Sequence, residues 1–310
     1  MTLLKNGSRS LPFPLLAAIL SWSLAGGAVK PVGDRNLLVV TASGGDYLVA
    51  CGGTLASYAR QGYKVYVAQF GNDEKVSLGL GQAQTRLSNI SEAKEAAHAI
   101  GVTDMIFLDH KSGELGYTSS TEMRHQLFGL IRYIKPRILF IPDPYVHYQE
   151  DRDVFWIGKM AEDAWGYSGG GMFGNDLTRY GLTPYGAPDV FYYAPARPYR
   201  PGEGGDGRSK FVARDVSSTL DQKLIAVELM HTRNRFYAET VRQKLPGALP
   251  GGLADDLDAA RLMRAYVTEL AETIGSKHGF RFGEEFNHVG GAGEAIPPYA
   301  LERATPRKKP

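Results

Sequence analysis

The chain predicts an α/β fold: a Rossmann-like, doubly wound, mostly parallel sheet with helices on both faces. Three observations predict it. Short apolar segments alternate with helical patterns from residue 37 to about 165, the rhythm of strands buried on both faces. Two helical segments end on glycine or proline stops, "AIGV" at 99–102 and "YIKP" at 133–136,. The first apolar run breaks into the small residues of "TASGGDY" before a helix, at the strand end where such sheets hold ligands.

In order, strands are expected at Leu37–Thr41, Lys64–Gln69, Met105–Leu108 and Ile138–Ile141, each short and rich in β-branched or large apolar residues,. Helices are expected between and after them at Cys51–Gln61, Leu87–Ala99, Ser120–Ile134 and Val154–Trp165,. Beyond Trp165 the pattern loosens into two loops rich in glycine, with "DVFYYA" between them and "KFVARDVS" after them as strands. "STLDQKLIAVELMHTRNRF" reads as one helix capped by Ser217 or Ser218, and a last helix covers about Asp255–Ile274,.

Length and charge narrow the class. The 310 residues suit one α/β domain over 29–290, with a tail at 291–310 whose end, "ATPRKKP", is too polar to pack,. Lys5 and Arg9, the apolar "LPFPLLAAILSWSL" and the small "AGGA" mark residues 1–28 as an export signal to the periplasm or the extracellular space,. The apolar stretch is short of the roughly 20 residues that span a bilayer, so no stable membrane span is expected in the mature chain. Removal of 1–28 takes away Lys5 and Arg9 and brings the formal charge from +2 to zero. That balance excludes nucleic acid as an electrostatic partner. Cys51 is the one cysteine, so no internal disulfide forms, and a small buried side chain is its expected role.

Several segments, in this order, resemble the LmbE-like (PIG-L) family of zinc-dependent de-N-acetylases. They are "GGTLASYARQGYKVYVAQF", "EAKEAAHAIGV", "FLDHKSGEL", "IRYIKPRILFIPDPY", "DVSSTLDQKLIAVELMHTRNRF" and "FGEEFNHV". The resemblance implies a hydrolase fold with an amino-sugar-containing glycan or glycolipid as ligand. It also implies a site built on two motifs, and both are degenerate here. In the family an Ala-His-Pro-Asp-Asp-Glu motif follows the first strand and supplies two zinc ligands and the general base. The matching residues are Ala42, Ser43, Gly44, Gly45, Asp46 and Tyr47. Ser43 replaces the histidine ligand, Gly45 replaces the base, and Asp46 survives. The second motif, His-Pro-Asp-His, matches Asp151, Arg152, Asp153 and Val154, which puts Val154 where the last ligand belongs. A shifted register would bring in His147. Family members carry His-x-Ser-Gln on a later helix; here His231 is present, followed by Arg233 and Asn234.

A catalytic zinc needs about three protein ligands and an open position, and one aspartate does not supply them. The expected reading is a carbohydrate- or glycolipid-binding or partner protein with no cofactor, its pocket formed by Ser43, Gly44, Gly45, Asp46, Tyr47, Asp151, Asp153, Val154 and His231. Gly44 and Gly45 are expected to widen the pocket floor and free backbone N–H groups for a polar ligand. The alternative is an active de-N-acetylase whose divalent metal is held by Asp46, Asp151, Asp153 and His147, a donor set suited to a hard ion. Asp46, Asp151 and Asp153 also qualify as helix caps. The tyrosines, with Trp156 and Trp165, suit sugar stacking or loop anchoring equally. Arg197 and Arg200 are candidate contacts for an anionic substrate.

Overall fold

In the computed structural model the described residues are 35–145, 151–172, 174–195, 210–244 and 256–289. The export signal, His147, Arg197, Arg200 and the tail lie outside them. Seven strands form one sheet: β1 (Asn36–Thr41), β2 (Lys64–Gly71), β3 (Asp104–His110), β4 (Ile138–Pro142), β5 (Asp189–Tyr193), β6 (Lys210–Asp215) and β7 (Gly283–Val289). Their order is β3-β2-β1-β4-β5-β7-β6. The first five run parallel, and β7 lies antiparallel between β5 and β6. The expected mostly parallel, doubly wound sheet is thus the observed one.

The helices are α1 (Asp46–Arg60), α2 (Gln82–Ala99), α3 (Ser120–Ile134), α4 (Arg152–Ser168), α5 (Asn175–Thr178), α6 (Leu220–Glu228), α7 (His231–Lys244) and α8 (Asp256–Lys277). They cover both faces of the sheet. Leu37 and Val39 point into one apolar layer with α1, α2, α6 and α8, whereas Leu38 and Val40 point into the other with α3 and α4. That alternation is the strand period of two. All four side chains are fully buried, each contributing about 1.5–3 kcal/mol of apolar transfer.

One expected element divides. The stretch read as a single helix over 217–236 is two, α6 and α7, and neither Ser217 nor Ser218 caps the first, which starts after Thr219 with no side-chain cap. The break at Leu229–Met230 has a local cause: the Asn234 side chain donates to the carbonyl of Val227 at 2.8 Å and of Glu228 at 3.5 Å. Glu92 of α2 fixes the new helix start, accepting from the Thr232 backbone N–H at 2.9 Å and its hydroxyl at 2.7 Å. The first turn of α7 is thereby turned toward the end of β1.

Candidate pocket at the strand carboxyl ends

β1 is flanked by β2 on one side and β4 on the other, and the connections leaving β1 and β4 go to opposite faces. Ligands of open α/β sheets bind at such a switch point, outside the carboxyl ends of the strands. A cavity of about 190 Å³ lies there, lined by Ser43, Asp73, Lys75, Asp151, Asp153 and Arg233 among others. A second, larger cavity of about 660 Å³ runs between α3 and α4 past Trp156 and Tyr167, and shares no lining residue with the first.

The turn after β1 is tightly held. The Gly71 N–H donates to the Ala42 carbonyl at 2.8 Å, and the Thr41 hydroxyl donates to the Ser43 carbonyl at 2.7 Å. The Gly44 N–H donates to Asp73 Oδ2 at 2.9 Å. A Cβ on Gly44 would crowd Ala93 and Gln69 at 3.1 and 3.2 Å. A Cβ on Gly45 would collide with Arg233, at its Nε and at 2.6 Å from its Cδ and 2.9 Å from its Cζ. The expectation of a widened floor with free N–H groups is therefore corrected. The room left by the missing side chain at position 45 is filled by the Arg233 stem, and the Gly44 N–H is already spent on Asp73.

Arg233, from the first turn of α7, reaches Asp46 with its Nη2 at 2.7 Å from Oδ1. Burial works against the guanidinium charge, but Asp46, Asp73 and Asp151 outweigh it and hold Arg233 protonated. Burial also pushes the Asp46 carboxyl above its ordinary range, with Arg233 pulling it back and Asp151 adding to the rise. Asp46 is not the helix cap it was read as: the N-cap of α1 is Gly45, with no side-chain bond. Its second oxygen, Oδ2, makes no well-aligned hydrogen bond among the described residues, although the nearby Ser43 hydroxyl helps to lower the carboxyl.

The other expected site residues separate into two groups. Asp151 caps α4, accepting from the Asp153 N–H at 2.9 Å, and lines the cavity. Asp153 lines it too, but its carboxylate accepts from Gly113 N at 2.5 Å and Leu115 N at 3.1 Å, tying the loop after β3 to α4. Ser43 lines the cavity at 4% exposure. Tyr47 and Val154 instead point into the two apolar layers, at 0% and 2% exposure. His231 is exposed and absent from the lining. It opens α7, so the side chain two residues on enters the pocket in its place.

Asp73 is a pocket residue the sequence reading missed. It follows β2 with a positive φ of 52°, a conformation that costs a non-glycine residue energy and clusters at functional sites. The surroundings enforce it: the Ser112 hydroxyl accepts from its N–H at 2.8 Å and Asn89 donates to its carbonyl at 2.9 Å. Burial pushes its carboxyl up to about 6, against the lowering effects of Arg233 and the Gly44 N–H. The available signal was its place, just past the carboxyl end of a strand next to β1.

The residues do not suit the zinc of the family the sequence resembles. Of the three ligand positions, Ser43 offers a neutral hydroxyl, Val154 lies in the core, and Asp46 is engaged by an internal cation. Among the described residues no group of three or more His, Cys, Asp or Glu side chains converges to hold a metal. Asp46, Asp151 and Asp153 therefore do not form the rebuilt site considered above, and His147 lies outside the described residues.

Fold and pocket together define a doubly wound α/β protein with an acidic crevice at its switch point. Comparison with known proteins shows what the chain is similar to. A family model described as GlcNAc-PI de-N-acetylase (PIG-L) matches residues 38–153. The diacetylchitobiose deacetylase of Thermococcus kodakarensis is 25% identical over 275 residues, covering 87% of this chain and 90% of that protein. The solved N,N'-diacetylchitobiose deacetylase of Pyrococcus horikoshii superposes with a TM-score of 0.68 at 19% identity, over 96% of this chain and all of the other. The 4-carboxy-2-hydroxymuconate hydratase of Pseudomonas putida superposes at 0.60 with 19% identity, over 82% of this chain and 96% of that one. Residues 38–153 thus match the PIG-L (LmbE-like) family model, and the chain is similar over most of its length to diacetylchitobiose deacetylases. That a hydratase shares the fold shows why activity is argued from the site.

Proposed function

We propose that this protein is a catalytically degenerate member of the family that binds an amino-sugar-containing glycan or glycolipid in the switch-point pocket. The observation that carries the reading is Arg233. Its side chain fills the space over Gly45, at the base position, and neutralises Asp46, the surviving ligand. With Ser43, Gly45 and Val154 at the matching positions, the metal-bound water and the general base of the family's hydrolysis have no holders there. What remains is a small polar pocket with carboxylates and a hydroxyl at its wall. The sequence of residues 1–28 supports export, which would present this pocket to glycans outside the cytoplasm.

The test uses the mature chain incubated with zinc, dialysed, and analysed for metal and for acetate release from N,N'-diacetylchitobiose, beside calorimetric titration with the same sugar. Saturable binding with substoichiometric zinc and no acetate release is expected. Stoichiometric zinc that disappears in Asp46→Ala, accompanied by acetate release, overturns the degenerate-site reading.

A further inference from the structure

The pocket is short of positive charge. Its two cations are each in contact with another carboxylate, Arg233 with Asp46 at 2.7 Å and Lys75 with Glu114 at 2.9 Å, and Arg233 acts on Asp73 and Asp151 through space without an ion pair. Among the described residues, Asp73, Asp151 and Asp153 form no ion pair. They are met by backbone N–H groups and, at Asp73, by the Gln69 amide at 3.0 Å. Asp73 Oδ1, on a side chain 2% exposed, has no hydrogen-bond partner. The Ser43 hydroxyl is also buried; it lies against the Asp46 carboxylate, which it helps to keep ionised, without a well-aligned hydrogen bond. Buried polar atoms are nearly always paired, so two on the wall of one cavity mark a place for a hydrogen-bonding ligand.

The ligand's chemistry follows from the donor–acceptor balance. Ionised carboxylates only accept hydrogen bonds, and their charge favours a cation. A metal ion would need ligands that converge, and these do not. An ammonium carries its positive charge with N–H donors pointing in several directions, which matches acceptors spread around a cavity of about 190 Å³,. This volume lies below the roughly 300–1,000 Å³ of drug-sized ligand sites, so it admits one small group of a larger molecule. An N-acetyl group in the same place brings a carbonyl acceptor and an uncharged N–H, leaving Asp73 and Asp151 with no cation in contact.

We propose that this pocket recognises the free amino group of a de-N-acetylated amino sugar, held as its ammonium by Asp73 and Asp151 with the Ser43 hydroxyl as a further partner. The inference rests on the glycan-binding reading and reverses the preference that a deacetylase would show. The ligand is the chemical product of de-N-acetylation, so a separate deacetylase reaction must supply it.

The test titrates the mature chain at about pH 7 with two probes, the glucosamine disaccharide with both amines free and N,N'-diacetylchitobiose. The free diamine should bind roughly 10- to 100-fold more tightly, the range expected for hydrogen bonds to a charged group. Asp73→Asn and Asp151→Asn should each remove about tenfold of that advantage. Asp151→Asn keeps the fold, because Asn caps a helix as well as Asp, and it removes the charge alone. Equal or tighter binding of the acetylated sugar overturns the ammonium inference while the glycan reading stands. A preference for the diamine that survives both variants overturns the assigned residues. Binding of neither probe overturns the glycan reading itself and the inference with it.

Discussion

Two ion pairs meet helix α1, and they differ in completeness. Midway along it, Lys223 of α6 meets Glu284 of β7 at 2.7 Å, both side chains at 2% exposure. Glu284 also accepts from Gly53 N at 2.9 Å and Thr54 N at 2.8 Å. At the start of the helix Arg233 meets Asp46 at the same 2.7 Å, but the side chains are 24% and 9% exposed and one Asp46 oxygen makes no well-aligned hydrogen bond. Glycine admits both pairs: Cβ atoms on Gly52 and Gly53 would press on Lys223 and Glu284 at 3.2 Å, as one on Gly45 would on Arg233. The saturated pair joins three elements and lines neither of the cavities described above, so it belongs to the fold. The unsaturated pair faces the crevice beside unpaired carboxylates, so it belongs to the site. Distance does not tell the two apart; burial and the count of satisfied oxygens do.

The largest effect should come from the saturated pair. Glu284→Gln leaves the Lys223 charge buried without a partner, and removing one member of such a pair costs about 4 kcal/mol. Urea unfolding should show that loss, and an unchanged midpoint would mean the pair is not the fold element described here.

Next comes the pocket pair. Arg233→Ala should cost about 3 kcal/mol, less than the first because the guanidinium is partly exposed and water can reach Asp46. Adding Asp46→Asn should recover part of the loss, since contacting residues couple by about 0.5–3 kcal/mol. Strict additivity of the two substitutions would show that Arg233 acts by filling space over Gly45 alone.

The smallest effect is a pH dependence confined to the pocket. Asp73 is raised to about 6 when folded, against about 3.9 in the unfolded chain. Between those values the folded protein keeps a proton that the unfolded chain has lost. Its contribution is fully present below about pH 4 and is lost as pH rises through about 6. Asp73→Asn should flatten that slope and raise stability at pH 7 by up to about 2 kcal/mol. A parallel slope in wild type and variant, followed by thermal unfolding from pH 4 to 8, would move the titration elsewhere.

Much of the fold was legible because its signals are local. The four parallel strands and the helices between them followed from apolar runs, and Gly101, at a φ of +82°, ends α2 where "AIGV" placed a stop. The break between α6 and α7 was not legible, because it depends on a side chain folding back on carbonyls earlier in the chain. In the site, the ligand and base positions could be read one by one, and Asp151 was found at its cap. Arg233 was visible as a departure from the family pattern, but not as the group that enters the pocket.

The sequence by itself therefore determined the sheet, its switch point and which residues stand at the positions that match the family's motifs, since strand periodicity and motif position need no long-range information. Only the tertiary structure decided what surrounds those positions. Asp46 and Arg233 are 187 residues apart, and whether a glycine opens a space or admits a neighbour depends on what the rest of the chain brings against it. The carboxylates of Asp73 and Asp151 likewise become one acidic wall only when the ends of β2 and β4 are set beside β1, because charge acts through distance in space and not along the chain.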